Sequence, residues 1–449
     1  MKKTPVKILG AGLCGSLLSI ILARRGYSVV IYEARSDPRD LSQAAGRSIN
    51  LAMSSRGIKA LKYAGIFDQV EPLLMPMTGR MLHFQNGTQE LQPYGQKEDE
   101  VIYSVSRFNL NQILIDTAEK KYQVEIKFEH KVLSYDTHQD KILMQSPAGE
   151  YSLDAEAIIV ANGAGSVIRK AFNDIEPIKP KESILPHSYK ELTIPANADG
   201  SFQLQEDALH IWPRGQFMLI ALPNPAGDFT LTLFMPTNGE NSFSELVSDK
   251  KVNEFFNHFF ASAVPLLPNL NDEFKINPTG ILGTVRCQHW HDADKLLLMG
   301  DAAHALVPFH AQGMNFAFDD CVELDKVIEN NEGDWLKIFQ NFEKNQYKNA
   351  QAIQEMALDN YIEMRDGVLD PKYALRKELS FELEQRMPNR FIPRYSMVMF
   401  HDQIPYAVSY QRGEIQKKLL EELTKNADKL EEIDFKHAEK LVASRLTPL

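Results

Sequence analysis

Three short apolar runs, Val6-Lys7-Ile8-Leu9, Ala157-Ile158-Ile159-Val160 and Leu296-Leu297-Leu298-Met299, each stop at small residues. Runs of this length without strict alternation read as strands buried on both faces, and the small residues after them mark a loop. Leu13 to Arg25 carries dense apolar positions and meets Gly26, which predicts a helix closed by a C′ glycine. Tyr27 to Tyr32 then predicts a second strand, so the chain opens strand, helix, strand, the start of a parallel sheet. Further on the texture changes. Leu209 to Trp212, Phe217 to Leu222 and Phe229 to Phe234 are rich in β-formers, with turns at Pro223-Asn224 and Ala226-Gly227-Asp228, and predict an antiparallel sheet. After about Asn315 the spacing becomes helical, most clearly in Phe339 to Met364 and Ile415 to Leu423.

At 449 residues the chain is too long for one ordinary core, so two or three packed units are expected. Its net charge of −11 leaves no basic excess to neutralise phosphates, which argues against nonspecific nucleic-acid binding. Cys14, Cys287 and Cys321 are far apart in sequence, show no paired metal-ligand spacing and make no disulfide framework, which suits a reducing compartment. The apolar stretch Ser16 to Ala23 falls well short of the roughly 20 residues that span a bilayer, and Gln411 to Arg445 is dense in Lys and Glu.

Gly10-Ala11-Gly12-Leu13-Cys14-Gly15 fits G-x-G-x-x-G, with Glu33 lying 18 residues beyond Gly15. The first glycine turns the chain tightly, the second lets backbone reach a pyrophosphate, and the third lets helix pack on strand. The helix N-terminus faces the phosphates, and Glu33 can accept from a ribose hydroxyl. The fold expected is therefore α/β, with a Rossmann-like domain built from discontinuous segments (1–72, 98–178 and 273–330). A mainly antiparallel sheet domain (73–97 and 179–272) is inserted in it, and a helical region (331–449) follows.

Gly300-Asp301-Ala302-Ala303-His304 and, close behind it, Pro308-Phe309-His310-Ala311-Gln312-Gly313-Met314-Asn315 resemble the second FAD signature of the class A flavoprotein monooxygenases. The resemblance implies that Asp301 meets the flavin ribitol. It also implies that the Gly313-Met314-Asn315 backbone meets the isoalloxazine ring at a helix start, where negative charge on reduced flavin is favoured. The plainer reading is an Asp cap beside a glycine loop. Ala161-Asn162-Gly163-Ala164-Gly165-Ser166-Val167-Ile168-Arg169 corresponds to the family's motif bridging flavin and NADPH, with Asn162 in place of its Asp. Taken alone, Arg169 reads as a solvated cation at a helix start.

Longer stretches narrow the resemblance to the kynurenine 3-monooxygenases. They are Gly46-Arg47-Ser48-Ile49-Asn50-Leu51-Ala52, Leu91-Gln92-Pro93-Tyr94-Gly95, Ser104-Val105-Ser106-Arg107-Phe108-Asn109-Leu110-Asn111, His210-Ile211-Trp212-Pro213, Asn360-Tyr361-Ile362-Glu363-Met364 and Phe391-Ile392-Pro393-Arg394-Tyr395-Ser396-Met397-Val398. The resemblance implies that Arg80 and Tyr94 hold the carboxylate of the substrate L-kynurenine, with Asn360 and Tyr395 completing the clamp. A guanidinium suits this task because it offers a planar fork. Phe309 and His310 would line the site of the aromatic ring. On the cofactor side, Gly10, Gly12, Leu13, Cys14, Gly15, Tyr32, Glu33, Ala34, Arg35, Ala52, Arg107, Val132, Asp301, Gly313, Met314 and Asn315 would contact FAD. Singly, Tyr94 and Tyr395 read as half-buried core tyrosines and Arg80 as one half of a surface ion pair.

The implied reaction uses FAD, NADPH and molecular oxygen, delivers oxygen from a flavin C4a-hydroperoxide to the ring carbon ortho to the amine, and gives 3-hydroxy-L-kynurenine. The substrate ring is electron-rich and needs no strong base. The family's eukaryotic members carry a C-terminal membrane anchor; this chain reads as a bacterial-type cytoplasmic form, monomer or homodimer. Hydroxylation of another aromatic acid and flavin binding without catalysis are the alternatives. A flavin-free pyridine-nucleotide dehydrogenase leaves Gly300-Asp301 and Gly313-Met314-Asn315 unexplained, and no hydrolase triad, zinc motif or P-loop occurs.

Overall fold

A computed structural model describes residues 5–40, 50–172, 179–331, 333–365 and 370–449. Gly46, Arg47, Ser48 and Ile49 of the Gly46–Ala52 stretch lie outside the described residues. The chain forms two compact units. The first comprises Met1–Leu74, Val105–Ile184 and Gly283–Gln354; the second comprises Met75–Ser104, Leu185–Leu282 and Glu355–Leu449.

The first unit is built on a six-stranded sheet in the order His291–Asp292, Leu296–Leu298, Ile158–Val160, Val6–Leu9, Val29–Tyr32 and Glu125–Lys127. Only the His291–Asp292 edge runs antiparallel. The three apolar runs of the sequence thus lie side by side. Register pairs Leu9 with both Tyr32 and Val160, and Val160 with Leu298. The next residues along each strand, Gly10, Glu33, Ala161 and Met299, therefore emerge together at the carboxyl edge of the sheet. Binding loops of open parallel sheets gather there.

The helix Leu13–Arg24 is buried without a break from Gly15 to Leu22, because it lies between the sheet and the helix Gly313–Asn330. It ends at Gly26 (φ +88°), where the Gly26 amide donates to Ala23 O and the Tyr27 amide to Leu22 O. That closure delays the second strand to Val29, two residues later than its apolar pattern starts. An antiparallel meander, Lys131–Asp136, Lys141–Ser146 and Gly149–Asp154, was not anticipated; it turns through positive φ at Asp140 and Gly149.

A seven-stranded sheet, most of whose residues belong to the second unit, runs Thr279–Arg286, Lys181–Ile194, Phe229–Pro236, Met218–Pro223, Ala208–Pro213, Gly79–His83, Gln89–Pro93. From Lys181–Ile194 onward the neighbouring strands pair antiparallel, apart from Ala208–Pro213 with Gly79–His83, which is parallel. One face carries a phenylalanine-rich core, Phe217, Phe229, Phe255, Phe256, Phe260 and Phe274, against the helices Asp249–Phe259 and Leu270–Ile276. Each fully buried ring contributes about 1.5–3 kcal/mol. The helices Tyr373–Arg386, Tyr406–Thr424 and Phe435–Arg445 share a second core around Leu379, Leu383, Phe391, Leu419 and Val442. The 31-residue helix Trp335–Arg365 gives residues up to Gln354 to the first unit and the rest to the second. Among the described residues no helix is long and apolar enough to cross a membrane.

Candidate active site

The glycine fingerprint is a tight cradle. Gly10 has φ +107°, and a Cβ there would lie 2.6 Å from Ala161 O; a Cβ at Gly15 would overlap Gly10 O. No larger residue fits either place. Gly12 caps the helix Leu13–Arg24 without any side-chain cap, so the first amides at Leu13 and Cys14 are left for an incoming anion. Glu33 is buried at the end of its strand. Its Oε2 accepts the Ala11 amide at 2.8 Å, and its Oε1 accepts the Arg35 amide at 3.0 Å and Arg35 Nε at 2.8 Å. Burial alone would raise its pKa, but Arg35 and the two amides outweigh that and hold the carboxyl below its usual range. Tyr32 is buried beside it, whereas Ala34 and Arg35 are exposed. A cradle closed to any Cβ, an open helix start and an ionised acid fit a dinucleotide such as FAD.

Asp301 is exposed in the first turn of the short helix Asp301–His304, directly after Gly300 (φ +57°). Two buried polar side chains brace this turn. His304 Nε2 lies 2.8 Å from Asp320 Oδ2, and the ring of His304 packs between Trp290 and Phe316. Asp320 is fully buried, which raises its carboxyl pKa, opposed by His304 and the Gly300 amide. Arg169 is not a solvated cation, as its helix-start position suggested. It is 0% exposed and donates to Ala302 O at 3.0 Å, to Ala164 O, and to Glu182 at 2.7 Å. The Asn162-bearing loop is thereby tied to the Asp301 turn. Asn162 Oδ1 is buried without a hydrogen-bond partner, an acceptor still to be used.

The helix Gly313–Asn330 begins just after the turn Pro308–His310 and Ala311, which has φ +54°. Phe309, His310 and Met314 are buried here. Asn315 turns its side chain inward: Nδ2 donates to Ala52 O and Ala311 O, and Oδ1 accepts the Ser54 amide. Its side chain is a staple, so any cofactor contact at Asn315 comes from its backbone. Ala52 and Val132 are buried and Arg107 is exposed at the start of the helix Arg107–Asp116.

In the second unit Arg80, on the strand Gly79–His83, is 7% exposed, which removes it from the surface. Register sets Gly79 opposite Pro93, and the Tyr94 amide donates to Thr78 O, so Tyr94 follows beside Arg80. The rings of Tyr94 and Tyr395 stack at 5.5 Å and 10°. The guanidinium carbon lies 4.9 Å from the Tyr395 centroid and 5.6 Å from that of Tyr94. Neither Arg80 Nε nor the Tyr94 hydroxyl finds a well-aligned hydrogen-bond partner. Arg80 keeps its charge: burial opposes it, but Tyr395, Tyr94, Tyr373 and Glu363 more than compensate. Buried Asn360 lies three residues before Glu363 on the long helix, with Nδ2 3.3 Å from Met364 Sδ.

Residues 3–333 match the family described as FAD binding domain. The chain is 43% identical to kynurenine 3-monooxygenase of Stenotrophomonas maltophilia, over 99% of this chain and 97% of that protein. With kynurenine 3-monooxygenase of Myxococcus xanthus it shares 42% identity over 100% and 96%. The chain belongs to the kynurenine 3-monooxygenase family. It is a flavoprotein monooxygenase with an FAD-binding domain. Solved structures of similar fold include the tetrameric 2-methyl-3-hydroxypyridine-5-carboxylic acid oxygenase. Its TM-score is 0.67 at 20% identity, covering 83% of this chain and 96% of that one. Another is Pseudomonas aeruginosa PqsL in complex with 2-aminobenzoylacetate, with TM-score 0.65 at 17% identity, covering 81% and 96%.

Around Arg80, this member of the kynurenine 3-monooxygenase family carries three groups that sequence reading missed. Glu363 Oε1 lies 4.0 Å from Arg80 Nη1 and accepts the Tyr373 hydroxyl at 2.9 Å. Half-buried Lys377 is pushed down to about 8 by burial and then by repulsion from Arg80. Helical spacing holds the missed signal: Glu363 is three residues after Asn360, and Lys377 four after Tyr373, so each pair shares a face.

Proposed function

We propose that this chain hydroxylates L-kynurenine to 3-hydroxy-L-kynurenine, with NADPH as reductant and molecular oxygen as oxygen donor. The observation that carries the substrate is Arg80: a buried guanidinium, flanked by two tyrosine rings, with Nε facing no aligned acceptor. A buried donor left unpaired costs about 1–3 kcal/mol, which a substrate carboxylate accepting the fork would recover. The names of the curated relatives support the same substrate.

When bound, FAD supplies the hydride-accepting and oxygen-activating chemistry. The protein's part is to hold and shield. Gly10, Gly12 and Gly15 admit the pyrophosphate to the helix start, and Glu33, Ala34 and Arg35 meet the adenosine ribose. Asp301 takes the ribitol, and the Gly313–Asn315 backbone the flavin ring, while Tyr32, Ala52, Arg107 and Val132 add flanking contacts. The family resemblance assigns the amino-acid end of the substrate to Arg80, Tyr94, Asn360 and Tyr395, and the lining of its ring to Phe309 and His310. No group needs to deprotonate an aniline ring, which is already activated toward an electrophilic oxygen. Fixing the carboxylate end orients the ring carbon that reacts, and apolar lining keeps water from diverting the oxygen into peroxide.

A substrate panel tests the reading. NADPH oxidation by the FAD-loaded enzyme should accelerate with L-kynurenine and stay at background with anthranilate or 4-hydroxybenzoate, which lack the amino-acid arm. Acceleration by those acids but not by kynurenine would contradict it.

A further inference from the structure

Behind the cofactor loops of the first unit the structure holds a thiol pair that sequence spacing gave no reason to expect. Cys14 and Cys321 are 307 positions apart, yet their sulfurs lie 3.9 Å from each other. Cys14 is the second residue of the helix Leu13–Arg24; Cys321 sits in the helix Gly313–Asn330. Both sulfurs are held. The Cys321 thiol lies 3.2 Å from Ala317 O and 3.4 Å from Cys14 O. A Cβ at Gly300 would lie 3.2 Å from Cys14 Sγ, so Cys14 also touches the turn that carries Asp301. Cys14 is half-buried and Cys321 fully buried, and both are reduced.

We propose that this pair is an oxidative modification site, which hydrogen peroxide converts to a Cys14–Cys321 disulfide. Cys14, the more accessible sulfur, attacks one peroxide oxygen. An S–O bond forms, the O–O bond breaks, the Cys14 proton is lost to the departing hydroxide, and water leaves. The Cys321 sulfur then attacks the resulting sulfenic acid. The S–S bond forms, the S–O bond breaks, and the Cys321 proton leaves with the oxygen as a second water. One peroxide is reduced and two thiols are oxidised. The sulfurs close by about 2 Å to bonding distance. Burial pushes the Cys321 thiol well up, which leaves the more accessible Cys14 as the first nucleophile, and the 3.9 Å separation places Cys321 to resolve the sulfenic acid. The bond would tie together two helices whose first turns border the dinucleotide cradle and the Gly313–Asn315 loop. Peroxide is also what a flavin monooxygenase releases when oxygen is reduced without hydroxylation, so the enzyme itself can supply the oxidant. That last link rests on the proposed function. The site itself does not, because added peroxide tests it whatever the substrate.

The experiment treats the FAD-loaded enzyme with hydrogen peroxide, alkylates free thiols in denaturant, and maps the digest by mass spectrometry without reductant. The expected result is a linked pair of peptides containing Cys14 and Cys321, two hydrogens lighter than the sum and separated by dithiothreitol. Cys287, buried and with its thiol pushed up to about 12, should remain alkylated. In Cys14→Ser, Cys321 should stay open to alkylation after the same dose; should that variant not fold, Cys321→Ser carries the test through Cys14. Alkylation of both thiols in the treated wild type would overturn the proposal. So would Cys14 advancing to a sulfinic acid with no cross-link.

Discussion

Replacing Arg80 by alanine is the most informative single change in the second unit. Arg80 has only 8% of its side chain exposed, its nearest carboxylate is 4.0 Å away, and two tyrosine rings flank it. The internal ion pair is loose and already shared with the Tyr373 hydroxyl, and Nε has no aligned partner, so a ligand carboxylate can compete for the guanidinium. A hydrogen bond to a charged group is worth about 1.5–3 kcal/mol. At tenfold per 1.4 kcal/mol, its loss raises the KM for L-kynurenine by about 10- to 150-fold. Because the carboxylate is held alike in ground and transition states, kcat should change much less. Arg80→Lys keeps the charge and loses the planar fork, and should fall between wild type and alanine. Steady-state NADPH oxidation with product quantified gives both parameters, and thermal unfolding of each variant checks that the fold survives. An unchanged KM in a folded Arg80→Ala would refute the assignment.

Other consequences follow from the first unit and from the sheet. Gly10→Ala places a Cβ 2.6 Å from Ala161 O at φ +107°, so the purified variant should lack the yellow flavin colour, measured as visible absorbance per protein. Asp320→Ala leaves His304 without its buried partner and should lower stability in urea by about 1–3 kcal/mol, with Asp320→Asn costing less. His83 stacks on Trp212 at 4.1 Å and shares a 2.9 Å hydrogen bond with His210; burial, then His210, depresses it from 6.5 to about 3. The unfolded chain therefore binds a proton that the folded one refuses between those values. Stability should be unaffected above pH 6.5 and fall as the pH drops toward 3, and His83→Phe should flatten that decline in urea titrations.

Much of the first unit was legible because its chemistry is local. The strands at Val6, Val29, Ile158 and Leu296 show themselves as apolar runs, and their loops as glycines that backbone contact demands. What joins them was not legible. Arg169 looks solvated in sequence, since two of its partners are the backbone carbonyls of Ala164 and Ala302, which no residue type advertises, and the third, Glu182, lies 13 positions on. The Cys14–Cys321 contact likewise depends on two helices packing across 307 positions. Asn315 shows the opposite limit: the motif was visible, but the inward turn of its side chain toward Ala52 and Ser54 is a tertiary fact. In the second unit, three of the sheet's strands could be read from β-formers. The strand Lys181–Ile194 could not, because its first half is exposed and Pro186 interrupts its alternation. Glu363 and Lys377 matter only once Arg80 is known to be buried beside them.

The most direct test of the central claim is mass spectrometry of the product formed by FAD-loaded enzyme from L-kynurenine, NADPH and oxygen. The expected product is one oxygen heavier, co-elutes with 3-hydroxy-L-kynurenine and takes its label from isotopic oxygen gas. Intact kynurenine accompanied by peroxide, or a product carrying oxygen from water, would contradict it.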